Sequence, residues 1–379
     1  MIRYHHRELE RQLWQDLQRK MVFLSGPRQS GKTRLSKEMC LKAGCDPKLW
    51  YLNWDSQAHR EAIMAETFPE GKGLLILDEV HKYRRWRQTV KGLYDTRGDE
   101  LRILVTGSAR LDHYRRGGDS LQGRYHFLRL LPFSAAELGK PDHACIKDLL
   151  RLGAFPEPFL SGSEKEARRW SREYRSRIIR EDIRDLEHIV DIDLVDRLAI
   201  RLPQLVGAPL SINALRENLQ VAHATVARWI TMLENLYLLF RVYPFGGPRL
   251  RAVKKEAKHY HFDWTTIQDE GARFENLIGF HLLKWCWRRQ DCEGLDTELR
   301  YFRDTDKREI DFVIVENGKP VRCVECKLSR RDVNPALNYF KQRFPAVDAV
   351  QVSLEPGPDL RTKENIRIVS AHDFTAELV

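Results

Sequence analysis

A short loop combines glycines, a lysine and a threonine at a spacing that suits a bound phosphate. It lies in the segment "MVFLSGPRQSGKTRL", where Gly26, Gly31, Lys32 and Thr33 fit the pattern G-x-x-x-x-G-K-[ST] after an apolar run. Glycines let backbone N–H groups turn inward around phosphate oxygens. Lys32 can reach the β- and γ-phosphates and act in catalysis, while Thr33 offers its hydroxyl to Mg²⁺. The residues expected to bind the nucleotide, ATP or ADP, are Gly26, Pro27, Arg28, Gln29, Ser30, Gly31, Lys32, Thr33 and Arg34.

Two acids end the next strongly apolar run, "GLLILDE". A continuous apolar run predicts a central parallel strand that is buried on both faces. At its carboxyl end, Asp78 is expected to hold Mg²⁺ and Glu79 to polarise the attacking water. A third run, "LRILVTGS", ends in Thr106 and Ser108. Either side chain could sense the γ-phosphate, because ligands bind at this edge of a parallel sheet; the alternative is that they cap the following turn. The alternation of strands and helices predicts a doubly wound α/β domain.

A second candidate site lies in the segment "EIDFVIVENGKPVRCVECKLS". Apolar runs around Asn317-Gly318 predict a β-hairpin. Alternation along a strand puts Glu325 and Lys327 on one face, and Asp311 on the paired strand can join Glu325 around one Mg²⁺. Lys327 would then orient a water molecule or stabilise developing charge, as part of a catalytic set of Asp311, Glu325 and Lys327. The alternative is a Glu325–Lys327 ion pair on a fold without catalysis.

The elements around this hairpin support a nuclease-like fold. The pattern predicts a helix over 268–287 that brings Glu275 toward the site, three strands, a helix over 334–344 and a strand over 348–354. This order, and the string Asp311…Glu325-Cys326-Lys327, resemble restriction-endonuclease-like folds. Cys323 and Cys326 do not suit zinc, because residues three apart on a strand face opposite sides.

The segment 208–245 predicts two helices joined by a short turn and followed by a strand, which is the pattern of a winged helix. Ser211 can cap the first helix. His223, Thr225 and Arg228 lie on the outward, N-terminal side of the second helix, where a recognition helix contacts nucleic acid. The alternative is that the winged helix packs on the nucleotide domain as a lid. The basic run 249–258 suits contact with a nucleic-acid backbone.

The composition limits the class of protein. The 379 residues carry a net charge of +10 and an isoelectric point near 9.2, which favours a polyanionic partner, either nucleic acid (DNA or RNA) or a nucleotide; the alternative is a soluble basic protein with no such partner. There is no apolar run of membrane-spanning length and no apolar core of a signal peptide. Seven cysteines without framework spacing favour a reducing compartment. We therefore expect a cytoplasmic protein with no membrane partner.

Several motifs together resemble one family. They are the phosphate loop, the "LLILDE" strand, "TGSAR", "QGRYHFLRLLPFSAAEL", "GAFPEPFL", "RYFRDTDKREIDFVI" and "VECKLS". The chain is similar to AAA-type ATPases of the archaeal-ATPase-like group, which carry a C-terminal domain of unknown function. The resemblance implies a nucleotide-dependent switch or motor with a helical lid. It also implies an arginine that contacts the γ-phosphate, in cis or from a neighbour in a homo-oligomer, with Arg110, Arg124 and Arg180 as candidates.

The expected domains are a P-loop AAA-type ATPase domain (1–140), a helical lid (141–190), a winged helix (191–246) and an α/β restriction-endonuclease-like domain (247–379). The leading hypothesis is an ATPase that couples its nucleotide state to a winged helix and a nuclease-like domain acting on DNA or RNA. The alternative hypothesis is a nucleotide-dependent regulator of protein assembly whose nuclease-like domain is catalytically dead.

Overall fold

The computed structural model describes residues 5–107, 121–139, 141–183, 191–246, 256–330 and 332–378. The chain divides into two compact units, Met1–Pro132 and Phe133–Val379. The first boundary thus falls before the expected position at residue 140. The segments expected as lid, winged helix and nuclease-like domain all belong to the second unit.

The first unit is built on a parallel five-stranded sheet with the order β2-β3-β4-β1-β5. Its strands are β1 (Met21–Ser25), β2 (Tyr51–Asn53), β3 (Gly73–Asp78), β4 (Leu101–Thr106) and β5 (Tyr125–Arg129). Its helices are α1 (Leu9–Asp16), α2 (Lys32–Lys42), α3 (Pro47–Trp50), α4 (Gln57–Met64) and α5 (Trp86–Arg97). Every residue of β1 is buried, and so are all residues of β3 after Gly73, as their apolar runs predicted. The doubly wound α/β prediction is confirmed in its sheet.

The second unit begins with helices and ends in a mixed sheet. The helices are α6 (His143–Leu152), α7 (Pro156–Ser161), α8 (Glu164–Arg177), α9 (Ile192–Arg201), α10 (Ile212–Leu219), α11 (His223–Asn235), α12 (Glu270–Arg288), α13 (Pro335–Arg343) and α14 (Ala371–Ala376). The strands are β6 (Leu239–Pro244), β7 (Lys258–His261), β8 (Thr297–Arg303), β9 (Glu309–Glu316), β10 (Lys319–Lys327), β11 (Asp348–Ser353), β12 (Leu360–Arg361) and β13 (Arg367–Ser370). The sheet order is β12-β13-β11-β10-β9-β8-β6-β7. The predicted order of helix, three strands, helix and strand is present as α12, β8, β9, β10, α13 and β11.

The predicted pair of helices with a following strand is also present. The side chain of Ser211 accepts a hydrogen bond from the N–H of Ala214 and so caps α10, as expected. The strand predicted as a wing does not stand alone. β6 pairs antiparallel with β7 and parallel with β8, so it belongs to the eight-stranded sheet.

Helix α8 continues through a π-helical segment, Ile178–Ile183. In a π-helix the backbone hydrogen bonds join residues five apart in sequence. Trp170, Tyr174 and Ile178 form its buried stripe. Within the described ranges no helix is long and apolar enough to cross a membrane.

Candidate functional site

The phosphate loop connects β1 to α2 and depends on glycine at its first position. Gly26 has φ of +145°, and a Cβ there would lie 2.2 Å from the carbonyl oxygen of Leu130. A residue with a side chain at this position would therefore push the loop away from Leu130, which directly follows β5. Gly31 also has positive φ, +99°, and ends the loop where α2 begins at Lys32. The N-terminal turn of α2 therefore begins directly at the loop, and helix N-termini favour bound anions.

Lys32 is 7% exposed, and its ammonium group is held over the loop. Its Nζ donates to the carbonyl oxygens of Gly26 at 2.8 Å and Pro27 at 2.6 Å. A single charged donor is thus fixed inside a turn of backbone, within reach of any phosphate that enters it. The structure places Lys32 where the sequence predicted.

Asp78 ends β3 beside the loop, and three hydroxyl groups approach its carboxylate. The register pairs Asp78 with Thr106 on β4, whose hydroxyl donates to it. The hydroxyl of Tyr51 on β2 donates to the other oxygen, Oδ2. Oγ1 of Thr33 lies 3.4 Å from the same oxygen. The two predicted Mg²⁺ ligands, Thr33 and Asp78, are therefore adjacent.

Tyr51 was not predicted as a site residue. Burial, followed by the nearby carboxylate of Asp78, raises the pKa of its phenol far above the ordinary range, so the phenol stays a proton donor. The only signal in the sequence was its position at the start of a short strand, "YLN".

These residues suit a magnesium ion. A hydroxyl and a carboxylate are the oxygen ligands that Mg²⁺ prefers. Over the described part of the chain, no group of three acidic, histidine or cysteine side chains is arranged to hold a metal ion. An ion between Thr33 and Asp78 would complete its coordination with phosphate oxygens and water, which is how Mg²⁺ is usually bound beside nucleotides.

Glu79 lies at the same edge of the sheet in a left-handed backbone conformation, with φ of +56°. Its N–H donates to the carbonyl oxygen of Thr106 at 2.8 Å. Its carboxylate lies 3.5 Å from Nζ of Lys82 and 3.7 Å from Nε2 of the buried His81. Lys82 Nζ is also 2.8 Å from both carboxylate oxygens of Asp55. Glu79 thus lies next to Asp78 with Lys82 and His81 as neighbours, and its role as general base stays a prediction.

Of the three arginines considered for the γ-phosphate, Arg124 is excluded within its own chain. It precedes β5, and the parallel register of β1 with β5 starts at Met21 and Tyr125, whereas the phosphate loop follows Ser25. Four residues of strand, about 13 Å, separate the two edges of the sheet. Arg124 instead forms an ion pair with Asp95 at 2.8 Å. The nucleotide-binding role predicted for Arg124 is therefore wrong within one chain.

Contact of the other two arginines with the γ-phosphate stays a prediction. Arg110 lies outside the described residues, as does the predicted sensor Ser108. Arg180 is exposed in the π-helical segment of the second unit.

The hairpin of the second candidate site is confirmed. Asn317 and Gly318 both have positive φ, +49° and +77°, as a tight two-residue turn requires. The pairing of Val324 with Phe312 sets the next residues, Glu325 and Asp311, across from each other.

The side chains of this site are held by direct bonds. Asp311 Oδ2 accepts a hydrogen bond from the N–H of Cys326 at 2.9 Å. Nζ of Lys327 lies 2.8 Å from Oε1 of Glu325. Asp311 and the Glu325–Lys327 pair therefore lie on paired strands of the hairpin, and the direct Glu325–Lys327 pair is the contact expected for the alternative without catalysis.

A residue that the sequence did not reveal as part of this cluster supplies its internal cation. Lys258 on β7 is 1% exposed. Its Nζ lies 2.7 Å from Oε1 of Glu309, 3.4 Å from Oε1 of Glu275 and 3.7 Å from Oδ1 of Asp311. Burial alone would lower the pKa of Lys258, but the three carboxylates outweigh it and raise that pKa above its ordinary value. The lysine is therefore charged.

Local geometry explains how Lys258 reaches the carboxylates. The side-chain amide of Asn276 on α12 makes two 2.7 Å hydrogen bonds to the backbone of His261, which fixes α12 against β7. Tyr260 and Lys258 share one face of β7. The hydroxyl of Tyr260 donates to Glu275 at 2.7 Å, on the same oxygen that Lys258 approaches. Glu275 thus joins the cluster from the helix, as predicted.

Burial raises the pKa of two carboxyl groups in this cluster, those of Glu275 and Asp311. Burial, then the charges of Glu275 and Glu325, raise the pKa of Asp311 well above its ordinary value. One oxygen of Glu325, Oε2, is buried without a hydrogen-bond partner. The two metal ligands predicted here, Asp311 and Glu325, therefore lie close together, but the cation found beside Asp311 is an ammonium group. The basic run 249–258 was expected to contact nucleic acid, and its last residue is instead buried; residues 249–255 lie outside the described part.

The helix-turn-helix presents part of its predicted surface to solvent. On α11, His223 and Arg228 are exposed and Thr225 is half-buried. Val226, Ile230 and Leu233 are buried, as the predicted core stripe requires.

Comparison with protein families assigns the first unit. Residues 18–139 match a family described as an AAA domain. Residues 144–266 match a "Domain of unknown function (DUF8612)" and residues 270–374 a "Domain of unknown function (DUF4143)". The phosphate-loop unit is therefore similar to an AAA domain over residues 18–139. The resemblance to AAA-type ATPases is confirmed for this part, and neither of the other matches identifies a winged helix or a nuclease.

Curated relatives share the chain over most of its length. An uncharacterized protein of Methanocaldococcus jannaschii is 22% identical over 356 residues, which cover 80% of this chain and 71% of the relative. An uncharacterized protein of Mycobacterium tuberculosis is 25% identical over 318 residues, which cover 79% of this chain and 68% of the relative.

Solved structures with a related arrangement are more distant. The Aeropyrum pernix ORC1 protein in complex with DNA has a TM-score of 0.38 and 15% identity, covering 73% of this chain and 93% of that chain. AMPPCP-bound DnaA from Aquifex aeolicus has a TM-score of 0.28 and 17% identity, covering 60% of this chain and 85% of that chain.

Proposed function

We propose that this protein binds ATP with Mg²⁺ and hydrolyses it, and that the nucleotide state acts as a switch. The convergence of Lys32, Thr33, Asp78 and Glu79 at one edge of the parallel sheet carries the proposal. Lys32 would exchange the carbonyl oxygens of the loop for the β- and γ-phosphates, and Thr33 and Asp78 would hold Mg²⁺. Bound Mg²⁺ neutralises charge that develops on the phosphate oxygens.

Glu79 would accept a proton from the attacking water. Its carboxylate lies 3.5 Å from Nζ of Lys82, which holds the side chain at the edge of the sheet next to Asp78. Thr106, in register with Asp78, would take the sensor role that the sequence assigned to Thr106 or Ser108. The family resemblance implies an arginine at the γ-phosphate, and a neighbouring subunit of a homo-oligomer would be one source of it.

Calorimetric titration with ATP tests the binding step. Lys32→Ala should abolish tight binding while the protein stays folded. Lys48→Ala removes an exposed lysine from the same unit and should leave the affinity unchanged. Equal ATP affinity of Lys32→Ala and the wild type would refute the assignment.

For the second unit we propose a nuclease-like domain that regulates rather than cleaves. Lys258 supports this, because its buried ammonium group already lies beside the partly buried carboxylates of Glu275, Glu309 and Asp311. Incubation with plasmid DNA and either Mg²⁺ or Mn²⁺ should leave the plasmid intact. Cleavage that disappears in Glu325→Ala would instead establish the leading sequence hypothesis, an active nuclease.

Nucleic acid is the second candidate ligand. The net charge of +10 and the exposed His223 and Arg228 on α11 favour binding of DNA or RNA by the helix-turn-helix. Electrophoretic mobility or anisotropy measurements with duplex DNA at low salt test it, and absence of binding there would favour the alternative role of this segment as a lid.

A further inference from the structure

Two aromatic rings stack beside the catalytic edge of the first unit. The rings of Trp54 and Tyr83 have centroids 4.8 Å apart and an interplanar angle of 19°. The guanidinium group of Arg60 lies 5.9 Å from the centroid of the Trp54 ring. Both rings pack on the hydrophobic core but stay partly exposed. The result is a layered platform of a guanidinium group and two rings, which has an accessible rim.

Positive charge flanks this platform. Arg84 and Arg85 follow Tyr83 directly, and both are exposed. Neither forms an ion pair with any residue in the described ranges. Arg60 adds a third cation, and the nearby acid Asp55 is already paired with Lys82. Arg84 and Arg85 thus place two exposed positive charges next to Tyr83 in the chain.

The platform is joined to the catalytic residues by short bonds. The N–H of Trp54 donates to the carbonyl oxygen of Asp78 at 2.9 Å. Lys82, next to Tyr83, bridges Asp55 and the predicted base Glu79. A ligand that moves Trp54 or Tyr83 would therefore move the groups around Asp78 and Glu79.

We propose that the surface formed by Trp54, Arg60, Tyr83, Arg84 and Arg85 binds single-stranded nucleic acid. The exposed parts of the Trp54 and Tyr83 rings offer aromatic contacts to unpaired bases, and neighbouring arginines offer contacts to phosphates. Duplexes bury the faces of their bases, so these contacts select the single strand. This inference deepens the nucleic-acid proposal above by adding a surface on the AAA-type unit, and it does not depend on ATP hydrolysis.

Fluorescence anisotropy of a labelled oligo(dT) tests the surface. The oligonucleotide has about 20 residues, longer than the roughly 4–16 nucleotides that such sites cover. Removing two phosphate contacts by Arg84→Ser/Arg85→Ser should weaken binding at least about tenfold and lower the slope of log K against log salt by about 1.4. The matched control Arg168→Ser/Arg172→Ser removes two exposed arginines of α8 and should change the affinity less than about twofold.

A second pair of variants isolates stacking from charge. Tyr83→Leu keeps an apolar side chain on the core but loses the ring, and it should weaken binding at least about fivefold. Tyr83→Phe keeps the ring and should bind as the wild type does. Equal loss in the α8 control, or equal competition by a duplex of the same length, would overturn the proposal.

The result of the oligo(dT) experiment does not depend on the ATPase proposal or on the helix-turn-helix proposal. All measurements are made without nucleotide, and Lys32→Ala should bind oligo(dT) normally even though it binds no ATP. A protein without ATPase activity could therefore still pass this test, and an active ATPase could fail it.

Discussion

The ammonium nitrogen of Lys258 lies 3.7 Å from Oδ1 of Asp311, inside a carboxylate cluster that the sequence predicted to hold a metal ion. Buried carboxylates are costly unless a cation compensates for their lost hydration. In this protein the chain supplies that cation itself, and Lys258 Nζ also approaches Glu309 and Glu275. The position of Lys258 thus explains why acidic side chains lie at this place in the fold even if they have no catalytic role.

Replacing Lys258 should destabilise the second unit strongly. Lys258→Met keeps the length and the apolar stem but leaves Glu275, Glu309 and Asp311 without their shared cation. Removing one partner of a buried ion pair costs about 3–5 kcal/mol, so the free energy of unfolding in urea should fall by about that amount.

The matched control is Lys319→Met, which removes an exposed lysine of β10. Its effect should stay within about 0.5 kcal/mol. Similar unfolding curves for the two variants would show that Lys258 does not neutralise the cluster.

Lys258 illustrates what the sequence could not reveal. Locally it closes a basic run, "RLRAVKKEAK", and such runs are usually solvated. It becomes buried because β7 pairs with β6 and packs against α12, and these contacts join residues far apart in sequence. The nucleotide-binding role predicted for Arg124 was wrong within one chain for a related reason. Its distance from the phosphate loop depends on the direction in which β5 runs beside β1.

Features with local signals were predicted well. The phosphate loop, the strand that ends in Asp78 and the Asn317-Gly318 turn each depend on residues that are neighbours in the chain. The Asp311–Glu325 pairing was also predictable, because the turn fixes the register of the hairpin. Tyr51 and Thr106 meet at Asp78 only through the order of the sheet, although Thr106 was foreseen from its place at a strand end.

His281 should make the protein less stable in mild acid. It is buried, its Nε2 accepts a hydrogen bond from the N–H of Ala135 at 3.0 Å, and its Nδ1 therefore donates to the carbonyl oxygen of Leu277 at 2.8 Å. The ring is neutral in the folded state, and burial lowers its pKa from 6.5 to about 4.

Proton binding by the folded and unfolded chains determines the direction in which stability changes with pH. Between pH 6.5 and about 4 the unfolded chain takes up a proton at this position that the folded chain does not. The stability contributed by the neutral ring is therefore complete above pH 6.5 and is lost as the pH falls, by up to about 1.4 kcal/mol per pH unit. His281→Gln should show a shallower acid loss in urea unfolding than the wild type. The exposed His223→Gln should retain the wild-type slope, and an unchanged slope in His281→Gln would contradict the assignment.

Glu79→Gln should separate ATP binding from ATP hydrolysis. The amide keeps the size of the side chain but cannot accept a proton from water. Lys32, Thr33 and Asp78 are untouched, so the affinity for ATP should stay within about twofold while the steady-state turnover falls about 100-fold or more. Phosphate release gives the turnover, and calorimetry gives the affinity.

Glu61→Gln is a suitable control, because Glu61 is an exposed acid on α4 that bonds to Gln57. Its turnover should equal that of the wild type. If Glu79→Gln turns over normally, another residue activates the water and the role assigned to Glu79 is wrong.

Arg228→Ala should weaken the binding of duplex DNA by the helix-turn-helix. Arg228 is exposed on α11, while Val226 and Ile230 on the same helix are buried and fix its orientation. A basic side chain at this position can contact a base edge or a phosphate, and losing it should cost about 1–3 kcal/mol of binding free energy.

Measuring the affinity of Arg228→Ala for duplex DNA at several salt concentrations distinguishes the two contacts. Loss of a phosphate contact lowers the salt slope by about 0.9, whereas loss of a base contact reduces discrimination between sequences. Arg343→Ala, an exposed arginine of α13, should leave both quantities unchanged. An affinity that is insensitive to Arg228 would leave packing as a lid as the role of these helices.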